Sequence, residues 1–188
     1  MIRICVLGDI GSGKSYVAKQ FGYPVFNADY EVSKIYKKNK KCYNELKRKL
    51  PTYIISFPVK KTEITDAILS SIHNLKKIVK IVHPEVRSKL NSFIKKNKDK
   101  KFVVLDIPLL MENKINKKKD ILIFVDANKK IINKRLKKRL NFNEKITNKL
   151  RKIQLPLEYK KKYSHFIIKN NFKKNYVKKA AKEILLNA

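Results

Sequence analysis

The chain has 188 residues, 43% of them hydrophobic, and a formal net charge of +32 from 47 Lys and Arg against 15 Asp and Glu. This length and hydrophobic content suffice for one folded domain with a buried core, which excludes wholesale disorder. No apolar run approaches the ~20 residues that span a bilayer, and we expect no signal peptide, so the sequence predicts a cytoplasmic protein. Cys5 and Cys42 form no CxxC pair or Cys/His cluster, which argues against a zinc site or a disulfide framework.

The excess of positive charge has two interpretations. Lys and Arg that neutralise phosphates release counterions, so a basic protein suggests an anionic partner such as nucleic acid. We favour compositional bias, because 41 of the 47 basic residues are Lys, and the Lys runs at 37–41, 117–119 and 160–162 are then solvated surface. The six arginines stand out against this background as positions that need a planar, bidentate donor. The first 30 residues carry only +1, since they hold three basic and two acidic groups.

The first half of the chain predicts two strands and several helices. An apolar run predicts a buried strand over 2–7 that ends at a glycine cluster. The pattern after the cluster predicts a helix over 16–21 that ends at Gly22, then a strand over 24–27, and then a helix with Asp29 near its N-cap. From there to about residue 97 the pattern is mostly helical, with 53–57 as a candidate strand.

The second half predicts the rest of a parallel sheet. Continuous apolar runs at 102–107 and 121–126 are typical of parallel strands buried on both faces, and 166–168 is a last candidate strand. Two apolar stripes predict helices. One consists of Ile131, Ile132, Leu136 and Leu140, and the other, which we expect to pack in the core, consists of Phe172, Tyr176, Val177, Ala180 and Ile184. Strands alternating with helices predict an α/β doubly wound sheet, which binds ligands beyond the carboxyl ends of its strands.

The glycine cluster fits the Walker A pattern GxxxxGK[ST] over 8–15, between a predicted strand and a predicted helix. Backbone N–H groups in such a loop converge on one concavity that favours phosphate, where Lys14 reaches the β and γ phosphates of ATP and the Ser15 hydroxyl holds Mg²⁺. An ordinary glycine-rich turn is the alternative. Asp9 is a departure, because a carboxylate in this loop must point away from a triphosphate or weaken its binding. The predicted nucleotide-binding residues are Asp9, Ile10, Gly11, Ser12, Gly13, Lys14, Ser15 and Tyr16.

Segments along nearly the whole chain resemble dephospho-CoA kinases in order and spacing. They are 10–15, 25–29, 83–87, 106–112, 134–139, Gln154 and 168–170. The sequences HPEVR and PLLME are the most specific parts, because other small P-loop kinases lack that pair. The resemblance implies a three-layer P-loop kinase fold, with about five parallel strands flanked by helices. It implies a single domain containing a helical substrate region at 30–98 and a helical lid at about 135–163.

By the same resemblance the enzyme transfers the γ-phosphate of ATP to the ribose 3′-hydroxyl of dephospho-CoA, the last step of coenzyme A synthesis. Asp29 aligns with the family's catalytic carboxylate, which accepts the hydroxyl proton and contacts Mg²⁺, although a helix cap alone would also explain it. Asp106 ends a predicted strand as a Walker B acid does and is a further candidate Mg²⁺ ligand. Asn27 stands where the family usually has Asp, so it keeps an acceptor oxygen but loses a charge.

Further substrate and lid residues follow from the resemblance. His83 and Arg87 are assigned to dephospho-CoA contact, with a helix that starts at Pro84 as the alternative. Arg135 and Arg139 are four residues apart, so we expect them on one helical face as cations over the migrating phosphoryl group, with a solvated face as the alternative. The segment after the strand at 102–107 forms the substrate floor or part of the core, through Pro108, Leu109 and Leu110.

The resemblance implies ATP, Mg²⁺ and dephospho-CoA as ligands, no specific nucleic acid, no membrane, and a monomer or weak homo-oligomer. Asn170 is followed by Asn171 and Phe172 where the family commonly has a glycine, which predicts an altered adenine-side loop. One rival is another small-molecule P-loop kinase, acting on a nucleotide or shikimate, but its arginine and glycine motifs after the second strand are not evident. The other rival is a basic nucleic-acid-binding protein, which no aromatic-interleaved basic stripe supports.

Overall fold

The computed structural model describes residues 1–140 and 142–188, which divide into two compact units. Unit 1 comprises Met1–Asn27 and Asn97–Ala188, and unit 2 comprises Ala28–Lys96. The single-domain assignment made from the sequence stays a prediction. Within the described residues, no helix combines the length and apolar character needed to cross a membrane.

Unit 1 is built on a five-stranded parallel sheet in the order β2-β3-β1-β4-β5. The strands are β1 (Ile2–Gly8), β2 (Val25–Asn27), β3 (Phe102–Asp106), β4 (Ile121–Asp126) and β5 (Phe166–Lys169). Every residue of β3 is buried, as expected of a parallel strand covered on both faces. The five strands predicted from apolar runs and the α/β architecture of a parallel sheet flanked by helices are confirmed.

Helices flank this sheet, and two of them complete its main core. The helices of unit 1 are α1 (Lys14–Gln20), α6 (Lys129–Lys137), α7 (Glu144–Lys152), α8 (Leu157–Lys162) and α9 (Lys174–Leu186). Ile4 and Val6 alternate along β1 and share a cluster with Val17 of α1 and Val177 of α9. This packing fixes the start of α1, and with it the end of the glycine loop, against the carboxyl edge of the sheet.

A buried ion pair lies toward the amino edge of the sheet. Arg3 Nε donates to Asp120 Oδ1 over 2.7 Å, and Arg3 Nη2 donates both to Asp120 Oδ2 and to the Ile115 carbonyl. Both side chains of the pair are almost fully buried. The neighbouring Cys5 thiol lies at 0% exposure, and burial together with the charge of Asp120 raises its pKa well above the ordinary value.

Unit 2 is helical throughout its regular structure. Its helices are α2 (Ala28–Lys38), α3 (Lys40–Lys49), α4 (Lys61–Ser70) and α5 (Ile72–Lys96). The first three pack against α5, which buries an apolar stripe consisting of Leu75, Ile78, Val82, Val86 and Leu90. Asn39 caps α3, since its side chain accepts a hydrogen bond from the Cys42 N–H over 2.9 Å.

Asp29 lies in the first turn of α2, which begins at Ala28, and this confirms the predicted place near the N-cap. Two other local predictions for unit 2 are wrong. Pro84 does not start a helix but lies inside α5, where it provides no backbone N–H donor. The segment 53–57 contains no strand, because the Tyr53 and Ile54 N–H groups bond back to the Leu50 carbonyl and form turns.

Predictions for the surface and helices of unit 1 also need correction. Helix α6 ends at Lys137, so Leu140 falls beyond it and is fully exposed. Phe172 precedes α9, and Tyr176 is 49% exposed, so neither belongs to the core stripe. Lys160 is not solvated, since its side chain is 1% exposed within α8.

Candidate active site

The glycine loop connects β1 to α1 at the carboxyl edge of the sheet, which is the context that the Walker A pattern requires. Gly11 and Gly13 have φ values of 88° and 91°, a conformation that residues with a Cβ adopt at a cost. A Cβ on Gly13 would also collide with the Asn170 amide, and one on Gly11 would lie 2.9 Å from Leu136 Cγ. Both backbone conformation and close packing therefore demand glycine here.

Lys14 lies across this loop. Its Nζ donates to the backbone carbonyls of Asp9, over 2.8 Å, and Gly8, over 3.2 Å. Gly13 is the N-cap of α1 and supplies no side-chain acceptor to the helix start. The loop thus presents a cation together with backbone N–H groups at the start of α1 that no side chain caps, which is the chemistry of a phosphate site.

Asn170 supports the loop from the end of β5. Its side-chain amide donates to the Ser12 carbonyl over 2.8 Å, and its backbone N–H donates to the Asp126 carbonyl over 2.6 Å. Its own Oδ1 accepts from the Phe172 N–H over 2.9 Å. Sequence reasoning placed this residue only in the adenine-side loop. The available signal was a polar amide directly after a predicted strand, a position that faces the carboxyl edge.

Three oxygen-bearing side chains meet beside the loop. Asn27 and Asp106 pair in register across β2 and β3, and the Asn27 amide donates to Asp106 Oδ2 over 2.6 Å. The same amide lies 3.4 Å from Ser15 Oγ. Hydroxyl, carboxylate and amide oxygens are the ligands that Mg²⁺ prefers, usually together with substrate phosphates and water. The described residues contain no group of three or more His, Cys, Asp or Glu that could hold a metal ion.

Two predicted lid arginines are in different settings. The Arg135 guanidinium stacks 4.2 Å from the centroid of the Phe172 ring. Arg139 lies after the C-cap of α6, Lys138, and is exposed. The prediction of one shared helical face is therefore wrong, because the helix ends before Arg139.

Arg151 is a site residue that sequence reasoning missed. It lies in the last turn of α7, and its Nε and Nη2 donate to the two carboxylate oxygens of Asp9 over 3.1 and 3.0 Å. The available signal was the identity of the residue, since Arg151 is one of only six arginines in a chain with 41 lysines.

The segment predicted as a lid is also tied to the segment after β3. Lys160 forms an ion pair with Glu112 over 2.6 Å and lies 3.3 Å from the Gln154 side-chain oxygen. Glu112 additionally accepts from the Leu155 N–H over 2.9 Å. Lys161 pairs with Asp126 over 3.1 Å, and this hydrogen bond raises its pKa. These contacts give Glu112 and Gln154, two residues of the family resemblance, a structural role.

The residues predicted for the substrate floor occupy the turn that follows β3. Leu110 is 0% exposed and therefore belongs to the core. Pro108 and Leu109 are half-buried, and the Leu109 carbonyl accepts from the Asn113 side chain over 2.8 Å. Of these three residues, only Pro108 and Leu109 therefore have side-chain surface that could contact a ligand.

A sequence model of the dephospho-CoA kinase family matches residues 2–175. The chain belongs to the dephospho-CoA kinase family. It is 35% identical over 187 residues to the dephospho-CoA kinase of Wolbachia pipientis wMel, covering 97% of this chain and 95% of that protein. It is 34% identical over 170 residues to the dephospho-CoA kinase of Bartonella quintana (strain Toulouse), covering 88% and 87%. Membership makes this protein a kinase, that is, a transferase.

Solved structures resemble the fold over its whole length. A Thermus thermophilus protein superposes with a TM-score of 0.79 and 28% identity, covering 99% of this chain and 97% of that chain. The dephospho-CoA kinase of Campylobacter jejuni gives a TM-score of 0.60 at 20% identity, covering 100% and 98%, which supports the fold alone.

The remaining family positions lie in unit 2. Asp29 is exposed in the first turn of α2, two residues along the chain from the end of β2. His83 and Arg87 are one helical turn apart on α5, so they share a face of that helix. His83 is half-buried and Arg87 is exposed. Their roles stay predictions.

Proposed function

We propose that this family member phosphorylates dephospho-CoA, transferring the γ-phosphate of ATP to the ribose 3′-hydroxyl and releasing coenzyme A and ADP. The observation that carries the proposal is the glycine loop with Ser15, Asn27 and Asp106 beside it in a dephospho-CoA kinase chain. A loop of this kind binds a nucleotide, and the family supplies the acceptor. Neither the glycine loop nor the family membership alone would identify the reaction.

The nucleotide is bound by backbone donors of residues 9–16 and by the Lys14 ammonium. Lys14 is already held over the loop by two carbonyl oxygens, so it needs little reorganisation to bind a phosphate oxygen. Arg135 and Arg139 are proposed to add positive charge over the transferred group. Because phosphoryl transfer requires positioning and charge stabilisation rather than covalent chemistry by the protein, these cations are the main catalytic contribution of the chain.

A Mg²⁺ ion would be held by the Ser15 hydroxyl and the Asp106 carboxylate. When bound, it neutralises charge on the phosphates during transfer. Asn27 donates to Asp106 and so holds that carboxylate in place, which gives the Asn that replaces the family's usual Asp a positioning role. Asp29 is proposed as a further Mg²⁺ contact and as the base that accepts the proton of the ribose hydroxyl.

Dephospho-CoA recognition is proposed for His83 and Arg87 of α5, with Pro108 and Leu109 as apolar contacts. Imidazole and guanidinium groups one turn apart suit an anionic, phosphate-bearing acceptor. The buried Leu110 acts through the core, because it has no exposed surface.

The proposal is tested by measuring ADP release from ATP and Mg²⁺ with a panel of acceptors. We expect turnover with dephospho-CoA and none with shikimate, a nucleoside monophosphate or water. Turnover with another acceptor in preference to dephospho-CoA would replace the proposed substrate. Random DNA that still binds at physiological salt, and more tightly than dephospho-CoA, would favour the nucleic-acid alternative.

A further inference from the structure

The Asp9 carboxylate is an anion built into a loop that binds an anion. Its side chain is 11% exposed, so water screens its charge only in part. An unpaired carboxylate here would repel a triphosphate at short range. The structure shows how this repulsion is offset.

Both oxygens of Asp9 are engaged. Oδ1 accepts from the Ile10 N–H over 2.6 Å and from Arg151 Nε over 3.1 Å, while Oδ2 accepts from Arg151 Nη2 over 3.0 Å. The two-point contact fixes the plane of the guanidinium as well as its distance. It joins positions 142 residues apart in the chain, and so ties α7 to the glycine loop.

Asp9 therefore organises two cations at once. Its carboxylate holds Arg151, and its backbone carbonyl accepts from Lys14 Nζ over 2.8 Å. A guanidinium has five N–H groups, and the contact with Asp9 needs only two of them. Within the described residues, no further hydrogen bond from Arg151 is seen, and its side chain is 30% exposed. The same group can therefore bind Asp9 and a phosphate oxygen together.

We propose that Asp9 is a positioning residue, which holds Arg151 beside the glycine loop so that the guanidinium binds the phosphates of the nucleotide. This inference rests on the proposed function only in requiring a nucleotide at the loop. Its consequence is counterintuitive, because removing a negative charge from a phosphate site weakens rather than strengthens phosphate binding.

The test is a double-mutant cycle on the affinity for Mg²⁺-ATP, measured by calorimetry without an acceptor. Asp9→Asn alone is expected to weaken binding about tenfold, because Arg151 loses its anchor. In an Arg151→Gln background the same substitution is expected to strengthen binding, because it now removes only a repulsive charge. This reversal of sign is not produced by a merely structural role.

Matched controls separate local from general electrostatics. Lys152→Gln removes one exposed cation from the same helix, and Asp99→Asn removes one exposed acid near the amino edge of the sheet. Both are expected to leave ATP affinity within twofold of the wild type. Thermal unfolding checks that every variant is folded.

Arg151→Lys provides a second test that does not touch the loop. It retains the charge but loses the two-point contact, so we expect an ATP affinity close to that of Arg151→Gln. In turnover assays Arg151→Lys should raise the KM for ATP while leaving the KM for the acceptor unchanged.

Tighter or unchanged ATP binding by Asp9→Asn would overturn the inference, as would wild-type affinity in Arg151→Lys. The substrate assignment fails separately. If the cycle shows the reversal but dephospho-CoA is not phosphorylated, the inference stands and the proposed function falls. If coenzyme A is made but no reversal is found, the proposed function stands and the inference about Asp9 falls.

Discussion

Asp29 and Asp106 are two carboxylates assigned to one reaction, and their surroundings differ. Asp106 is 3% exposed at the end of β3 and is held by the Asn27 amide. Asp29 is exposed in the first turn of α2, where a carboxylate is favoured by the helix dipole. A fixed, buried carboxylate suits a ligand of a metal ion, whereas an exposed one can accept a proton and release it to water.

Asp29→Asn is expected to lower kcat by about 10²–10⁴-fold, because the amide cannot accept the proton of the ribose hydroxyl. The affinities for ATP and dephospho-CoA should change little, as measured by calorimetry. Glu31→Gln in the same helical turn is the control and should retain wild-type turnover. An unchanged kcat in Asp29→Asn would reduce this residue to a contributor to helix stability.

The buried pair of Arg3 and Asp120 predicts a large effect on stability. Asp120→Asn leaves the guanidinium without its charged partner at a site where both side chains are nearly inaccessible. The free energy of unfolding should fall by about 3–5 kcal/mol, measured by urea denaturation. Asp99→Asn on the surface should change it by less than about 0.5 kcal/mol. Equal stability of the two variants would contradict the structural role of the pair.

At the scale of elements, the glycine loop and the helix after it offer a matched comparison. Gly13 and Gly22 both have positive φ, at 91° and 71°, so alanine strains the backbone at either position by about 1–2 kcal/mol. Only at Gly13 would the new methyl group collide with a neighbour, the Asn170 amide, whereas nothing lies within 4 Å at Gly22.

Gly13→Ala should therefore abolish measurable ATP binding, while Gly22→Ala should lower stability but retain ATP affinity. Calorimetry with Mg²⁺-ATP measures the first effect and urea denaturation the second. Similar ATP affinities in the two variants would show that the loop tolerates the displacement of Asn170.

Helix α3 carries a pH-dependent contribution to stability. Burial, with smaller effects of Glu85 and Glu45, raises the pKa of the Cys42 thiol from 9.0 to about 11. Because the folded state binds this proton more tightly, the contribution is complete below pH 9 and is lost as the pH rises through about 11.

The stability difference between the wild type and Cys42→Ala should therefore shrink by about 2 kcal/mol between pH 8.5 and pH 11.5. Urea denaturation of both proteins at the two pH values measures it, and subtraction removes the titration of the lysines. A difference that stays constant with pH would show that the thiol is not buried in the folded state.

The elements that the sequence predicted well are those whose signal is local. The run 102–107 is apolar at all but one position because β3 is covered on both faces, and glycine clustering at 8–13 marks a loop with positive φ. Helix ends were predicted less well. Arg139 and Leu140 continue the apolar and basic spacing of α6 although the helix ends at Lys137, since spacing alone carries no stop signal.

Contacts between distant positions were beyond sequence reasoning. Asp9 was recognised as a departure, but its partner Arg151 lies 142 residues away, and nothing in the local pattern of α7 selects it over neighbouring lysines. Lys160 belongs to a run of three lysines and is nevertheless buried against Glu112. In both cases only the contacts in the folded structure distinguish this cation from the many similar cations nearby.

For the whole molecule, the charge of +32 comes from a few cations with defined contacts and from many exposed lysines. Of the lysines whose side chains the structure describes, Lys160 alone is buried. Lys14, Arg135 and Arg151 have defined contacts at or near the glycine loop. Screening over ~8 Å at physiological salt confines steering of the proposed anionic substrates to cations near the site, so the proposed reaction leaves most of the surface lysines unexplained.

The measurement that tests the central claim most directly is the chemical identity of the product. The folded protein is incubated with ATP, Mg²⁺ and dephospho-CoA, and the product is analysed by mass spectrometry and phosphorus NMR. We expect coenzyme A, with one phosphoryl group gained at the ribose 3′-hydroxyl in equal amount to the ADP released, and almost none from Asp29→Asn. ADP release without coenzyme A, or a phosphoryl group at another position, would contradict it.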